Sequence, residues 1–261
     1  MTTVIVPVDF SETSLNAARY AAGFLRGEYG VTILLYHSCD SAAEAAEGEA
    51  KLASLKASLM AEFPVKFDVL VHQEADFVNG LERAARHRKA DLIIMGITGK
   101  SAIQQVLFGS NTLKMVETKA CPVLIVPEEA KFEGMKNALL TSDFKDTLNT
   151  TPSAHIKSVL SVYNPKLHVV NVNKDHYISL TQDYEKEKSN LRSLLADYYP
   201  EFYFMRLFEV DEALNMFVND FSIDMMIAVQ RNRSFLEKLL RPSYTKKLSF
   251  QTKVPILVIH E

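Results

Sequence analysis

The stretch Asp91-Leu92-Ile93-Ile94-Met95-Gly96-Ile97-Thr98-Gly99 decides the fold. Asp91 to Met95 is a short, almost wholly apolar run, which fits a strand buried on both faces. Gly96 and Gly99, three apart, let the backbone turn sharply and approach a ligand with no Cβ in the way. Ten positions on, Gly109 precedes Ser110, Asn111 and Thr112, three residues able to cap a helix. A helix opening there points free N–H groups and the positive end of its dipole at the loop, which favours an anion. The segment reads as strand, phosphate cradle and helix, or else as an ordinary strand-to-helix loop punctuated by glycine. Two named motifs fail. Lys100-Ser101 after Gly99 suggests a Walker A loop, but Ile94 stands where its first glycine belongs. The dinucleotide pattern G-x-G-x-x-G also fails, because the loop has no glycine pair separated by one residue.

Working outward, apolar runs alternate with helical segments. Val4 to Val8 ends in Asp9, and Ser11 and Ser14 precede an alanine-rich helix over Leu15 to Leu25. Val31 to Tyr36 is a second strand with His37-Ser38 at its end. Ala42 to Met60 has helical composition, with Leu52, Leu55 and Leu59 at helical spacing. Val65 to Val71 is a third strand and Asp76 to Arg88 a helix. After the glycine loop come a helix from Asn111 to Lys119 and the strand Pro122 to Val126. Nearly all-apolar strands between helices predict a parallel sheet covered on both faces, an α/β fold.

Residues 128–136 are charged, carry Gly134 and read as a linker. The pattern then restarts. Asn137-Ala-Leu-Leu-Thr-Ser-Asp143-Phe144 mirrors Val4 to Phe10, and Lys166 to Asn171 mirrors the second strand. Helices over Tyr184–Tyr198 and Asp211–Asp220 flank a strand over Phe202–Leu207. Ile223 to Val229 matches Asp91 to Gly96, and Val254 to Ile259 matches Cys121 to Val126. Pro122 and Pro255 set an offset of 133 residues, which also puts Asp224 on Asp91. A repeat over half the chain implies two similar domains. At that offset Gly96 becomes Val229, Gly99 becomes Asn232 and Gly109 becomes Pro242. A branched Val and an N–H-less Pro cannot give the same backbone approach to a phosphate, so one competent site is expected, in the first half. Arg231, Arg233, Lys238 and Arg241 read as a solvated basic loop or an alternative anion pocket.

The chain has 261 residues, 48% hydrophobic and 23% charged, enough to bury a core. A formal net charge of -3 argues against a general nucleic-acid-binding face. The start lacks the basic region of a signal peptide, and no apolar run reaches the length of a membrane helix. Cys39 and Cys121 show no ligand spacing and read as core thiols of a reducing cytoplasm. No metal site is expected from the protein's own side chains.

Three separated motifs carry a family resemblance. Pro7-Val8-Asp9-Phe10-Ser11, Gly96-x2-Gly99-x9-Gly109-Ser110 and Cys121-Pro122-Val-Leu-Ile-Val126 resemble, in type and order, the universal stress protein family in its tandem two-domain form. The resemblance implies two adenine-nucleotide-α-hydrolase-like (Rossmann-like) domains, each a five-stranded parallel sheet with helices on both faces. Residues 1–130 would form a domain with an intact ATP-binding loop, and residues 137–261 one with a degenerate loop. It implies ATP, alone or with Mg, as the ligand. Carried over, Asp9 would meet the ribose or the metal-phosphate region, and Pro7 and Ser38 would lie along the adenine. Met95, Gly96, Thr98, Gly99, Gly109, Ser110 and Asn111 would line the ribose and phosphates. Val is more usual than Ser38 at its place, which leaves the adenine packing open there. The last strands of the two domains would pair, making one chain mimic a dimer and covering an edge.

The expected function is a cytoplasmic stress-response protein that binds ATP as a sensed or regulatory ligand, with an unidentified protein partner and neither nucleic acid nor membrane. No catalytic residue is expected: Thr98, Ser101 and Asn111 can donate hydrogen bonds but cannot take a proton at neutral pH. An α-hydrolase enzyme would want an S-G-G-x-D-S-type loop after the first strand, where this chain has Pro-Val-Asp-Phe-Ser. The alternatives are a nucleotide-free interaction scaffold and a slow ATP hydrolase.

Overall fold

A computed structural model gives the fold; it describes all residues except 98–109, 172–181, 205–209 and 231–253. The chain divides into two compact units, Met1–Glu133 and Gly134–Glu261.

The first unit runs β1 (Thr3–Pro7), α1 (Glu12–Phe24), β2 (Thr32–Cys39), α2 (Ala42–Glu62), β3 (Lys66–Gln73), α3 (Phe77–Arg88), β4 (Leu92–Ile97), α4 (Ser110–Glu117) and β5 (Val123–Pro127). Its strands lie in the order β3-β2-β1-β4-β5, and every neighbouring pair is parallel. Val4, Ile5 and Val6 are successive in β1 yet all fully buried, so both faces of the strand are covered. Chain order reverses between β1 and β4, where an open parallel sheet leaves a crevice at its carboxyl end. α1 packs on β4 and β5, and its Ala17, Ala18, Ala21 and Ala22 are fully buried. α2 packs on β2 and β3, and α3 on β1 and β2.

Helix starts follow their caps. Ser11 accepts from Ser14 N at 3.3 Å to open α1, and Asp76 accepts from Val78 N and Asn79 N to open α3. Ser11 alone is the cap; Ser14 lies inside the helix and donates back to Ser11 O at 3.0 Å. Among the described residues α4 runs from Ser110, so Asn111 and Thr112 lie within the helix rather than before it. Cys121 is kept a neutral thiol, its pKa pushed up by burial to about 12.

The second unit runs β6 (Asn137–Ser142), α5 (Thr147–Thr150), α6 (Ser153–Leu160), β7 (Lys166–Asn171), α7 (Gln182–Leu194), a single 3₁₀ turn at Ala196–Tyr198, β8 (Glu201–Phe204), α8 (Val210–Asp220), β9 (Met225–Gln230) and β10 (Ile256–His260). Its strands lie in the order β10-β9-β6-β7-β8, again parallel. The long helix expected over 184–198 ends at Leu194. Tyr199, with φ 46, takes the left-handed conformation that closes the following turn. Among the described residues of the whole chain no helix is long and apolar enough to cross a membrane.

Candidate functional site

The carboxyl ends of β1, β2, β3 and β4, with the first turn of α4, enclose a cleft of about 350 Å³. Pro7, Asp9, Ser38, Met95, Gly96 and Asn111, all expected at the site, line it together. Ser110 is the first residue of α4. Thr98, Gly99 and Gly109 lie outside the described residues.

Asp9 follows β1 directly. Its Oδ1 accepts from Ser11 N at 3.0 Å and from Ser11 Oγ at 2.5 Å, and its own N–H donates to Ser14 Oγ at 3.3 Å. Partial burial works to raise the carboxyl, but hydrogen bonds from Ser11 and Ser14 outweigh it and hold the pKa below the ordinary value. The exposed carboxylate is therefore ionised, a good acceptor and a poor base. His37 fixes the loop beneath it: Nδ1 lies 2.7 Å from Val8 O, and since a carbonyl only accepts, that nitrogen carries the proton. Phe10, with φ 65, turns its ring onto His37 at 4.9 Å between centroids.

Gly96, which lines the cleft, also serves the packing of the unit. A Cβ there would lie 2.5 Å from Thr13 O and 2.8 Å from Thr13 Cγ2. The missing side chain thus makes room for the first turn of α1 against β4.

Ser38 is also committed. Its hydroxyl donates to Glu74 O at 2.7 Å, while Glu74 N donates to Cys39 O at 3.1 Å, so the ends of β2 and β3 are stitched together. Asp40, Glu74, Ala75 and Phe77 complete that end of the cleft and were not expected from the sequence. The sequence pattern predicts a third strand ending at Val71, whereas β3 continues to Gln73. β3 lies at the end of its sheet order, so its polar residues can face solvent and the apolar signal fades early. Counting to the true strand end would have placed Glu74 at a tip, like Asp9 and Ser38. Among the described residues no group of three or more His, Cys, Asp or Glu side chains could hold a metal ion.

A parallel α/β sheet with helices on both faces, and a cleft at the carboxyl ends of its strands, defines a Rossmann-like fold. The comparisons with known proteins narrow that class. Residues 1–127 match the model of the Universal stress protein family. The curated Universal stress protein MJ0531 of Methanocaldococcus jannaschii is 28% identical over a 145-residue alignment that covers 49% of this chain and 83% of that protein. The crystal structure of a universal stress protein from Archaeoglobus fulgidus DSM 4304 is similar over 99% of this chain and 98% of its own, with TM-score 0.69 and 16% identity. The functionally unknown protein PA1789 of Pseudomonas aeruginosa PAO1 is similar over 100% of this chain and 92% of its own, with TM-score 0.63 and 12% identity. At those identities the two structures show a shared fold.

Proposed function

We propose that the chain is a tandem universal stress protein whose first unit binds ATP as a sensed or regulatory ligand in a cytoplasmic stress response. The observation that carries this reading is the single cleft that gathers Pro7, Asp9, Ser38, Met95, Gly96 and Asn111 at the carboxyl ends of the strands. Asn111 and Thr112 of α4 line it, and a helix opening there would offer backbone N–H groups to phosphate. Thr98, Gly99, Gly109 and Ser110 belong to the same proposal on sequence alone. Asp9, ionised and exposed, suits ribose hydroxyls or a Mg²⁺ carried by the phosphates, because that ion keeps most of its oxygen ligands from water and phosphate.

The proposal is binding without rapid turnover. A carboxylate already stabilised by Ser11 and Ser14 is a weak general base, and Asp40 and Glu74 sit at the far end of the cleft from α4. The second half, with Val229, Asn232 and Pro242 in place of the glycines, acts as a partner domain with no nucleotide of its own. The pairing of last strands and an outside protein partner stay within the proposal on the strength of the sequence repeat and the family resemblance.

Calorimetric titration with MgATP tests it. One site per chain is expected. Gly109→Val should abolish the heat and Val229→Gly should leave it unchanged; equal effects would show the site to be misplaced. No heat, with no nucleotide released on denaturation, would favour the scaffold reading. Fast multiple-turnover ATP consumption would make the protein an enzyme.

A further inference from the structure

The cleft is polarised, and its strand order fixes which end is which. From β3 through β2 and β1 to β4 the tips present Glu74, Asp40, Asp9 and then Gly96 beside α4. Three strand spacings separate the first tip from the last, about 14 Å. Asp40 repels phosphate at one end, Glu74 less so because Arg83 pairs with it at 3.0 Å, while α4, which the nucleotide reading assigns to phosphate, lies at the other. A nucleotide lying across the tips therefore puts its base against Glu74.

Glu74 is held in place more firmly than a surface carboxylate needs to be. Its N–H donates to Cys39 O at 3.1 Å and its carbonyl accepts from Ser38 Oγ at 2.7 Å. Its Cβ and Cγ lie against Gly80, where an added Cβ would come within 3.2 and 3.0 Å of them. Arg83 Nη2 pairs with Oε2 at 3.0 Å, and among the described residues Oε1 accepts no hydrogen bond. The Ser38 tie belongs to this chain, since it uses the hydroxyl that stands where the family resemblance leads one to expect Val.

We infer that Glu74 is a specificity-determining residue of this cleft, accepting a hydrogen bond from the exocyclic amino group of a purine base. The inference rests on the nucleotide reading above. A carboxylate oxygen can only accept, so it favours a base edge that donates and disfavours one that presents nothing. Arg83 orients the carboxylate and does not itself select the base.

The experiment compares ATP with the triphosphate of purine riboside, which is ATP without the 6-amino group, by calorimetry on the full chain. The intact protein should bind ATP about ten-fold more tightly, the size of one hydrogen bond to a charged group. Glu74→Ala should bring the two compounds to nearly equal affinity, with the amino-free compound bound at least as well as by the intact protein, which also shows that the cleft still folds. Arg83→Ala should keep the preference for ATP. A ratio near one in the intact protein, or a ten-fold ratio that survives Glu74→Ala, would overturn the assignment of Glu74 and leave the nucleotide reading standing. If neither compound binds, the nucleotide reading falls and the inference with it.

Discussion

In the first unit Asp91 Oδ2 accepts from the backbone N–H groups of Thr2 and Thr3, at 2.5 and 3.0 Å. In the second, Asp224 Oδ2 accepts from those of Lys136 and Asn137, at 2.6 and 2.9 Å. Asp9 Oδ1 takes Ser11 N at 3.0 Å, and Asp143 Oδ1 takes Lys145 N at 3.2 Å. The aromatic residue after each aspartate is left-handed, Phe10 at φ 65 and Phe144 at φ 54, a conformation that costs a non-glycine residue about 1–2 kcal/mol. Both units keep that cost, so the turn after the first strand is part of the scaffold. What differs is the helix that follows. α1 has 13 residues and starts against Gly96. Its counterpart is cut to the four residues of α5, with Pro152 preceding α6, because proline lacks the N–H and clashes with the preceding turn. Val229 stands in place of Gly96, and Thr147, the counterpart of Thr13, bonds instead to Glu187 of α7. The two units thus share backbone clamps and part ways where a helix must come close to a strand.

The strongest way to break that comparison is Gly96→Val. The obstacle is a backbone carbonyl 2.5 Å from the new Cβ, so either α1 or β4 must shift. Overpacking costs roughly 1–3 kcal/mol, and a backbone obstacle puts this change near 3. Val229→Gly should cost less, about 1 kcal/mol, from strand entropy and lost packing. Denaturant unfolding of both variants checks the order. Equal losses would mean that the glycine is not what lets α1 sit on β4.

How far the sequence could be read follows from the same contrast. The buried strands were legible because burial on both faces writes a continuous apolar run, as in Val4-Ile5-Val6 and Met225-Met226-Ile227. α5 and α6 were not, because Pro152 divides a segment too short on either side to show a helical period. At the site, Pro7, Asp9, Ser38, Met95, Gly96 and Asn111 could be placed from motif spacing. Asp40 and Glu74 could not, since they belong to no motif and depend on where a half-exposed edge strand stops. The purpose of Gly96 was hidden for another reason: its partner, Thr13, is far away in sequence.

A smaller effect sharpens the shared part. Asp91→Ala should destabilise the first unit by about 2 kcal/mol, as hydrogen bonds from Thr2 and Thr3 to a charged acceptor are lost, and Asp224→Ala should do the same to the second. Partial burial tends to raise the Asp91 carboxyl, but the N–H groups of Thr2 and Thr3, with the Thr2 hydroxyl and the N-terminal charge, lower it on balance. A carboxylate with a lowered folded pKa binds fewer protons than in the unfolded chain. Its stabilisation is complete above the unfolded value near 4 and disappears as pH falls through the folded one. Asp91→Ala should remove that part of the acid-induced loss, read as a shallower fall in unfolding free energy below about pH 4. An unchanged acid limb would show that the clamp is not charged in the way its geometry suggests.

The smallest expected effect separates the units by pH. The register that pairs Thr3 with Thr32 and Asn137 with Lys166 puts His168 where the first unit has Leu34. His168 is buried, with Nδ1 3.2 Å from Tyr203 Oη, Nε2 3.4 Å from Asn137 Oδ1, and the rings of Phe217 and Phe221 beside it. Tyr203 donates to Glu201, and Lys166 pairs with the same carboxylate. Burial lowers the His168 pKa first and Lys166 lowers it further, against an opposing pull from Glu201. The unfolded chain therefore binds this proton at a higher pH than the folded one. Stability is full above the unfolded value near 6.5 and declines as pH falls toward the folded value, by at most about 1.4 kcal/mol per pH unit. His168→Leu, which copies the first unit, should flatten that slope between pH 6.5 and 5 while changing stability at pH 8 by no more than about 1 kcal/mol. A slope that persists in the variant would place the proton elsewhere. A large loss at pH 8 would mean that the contacts to Tyr203 and Asn137 matter more to this unit than the space the ring fills.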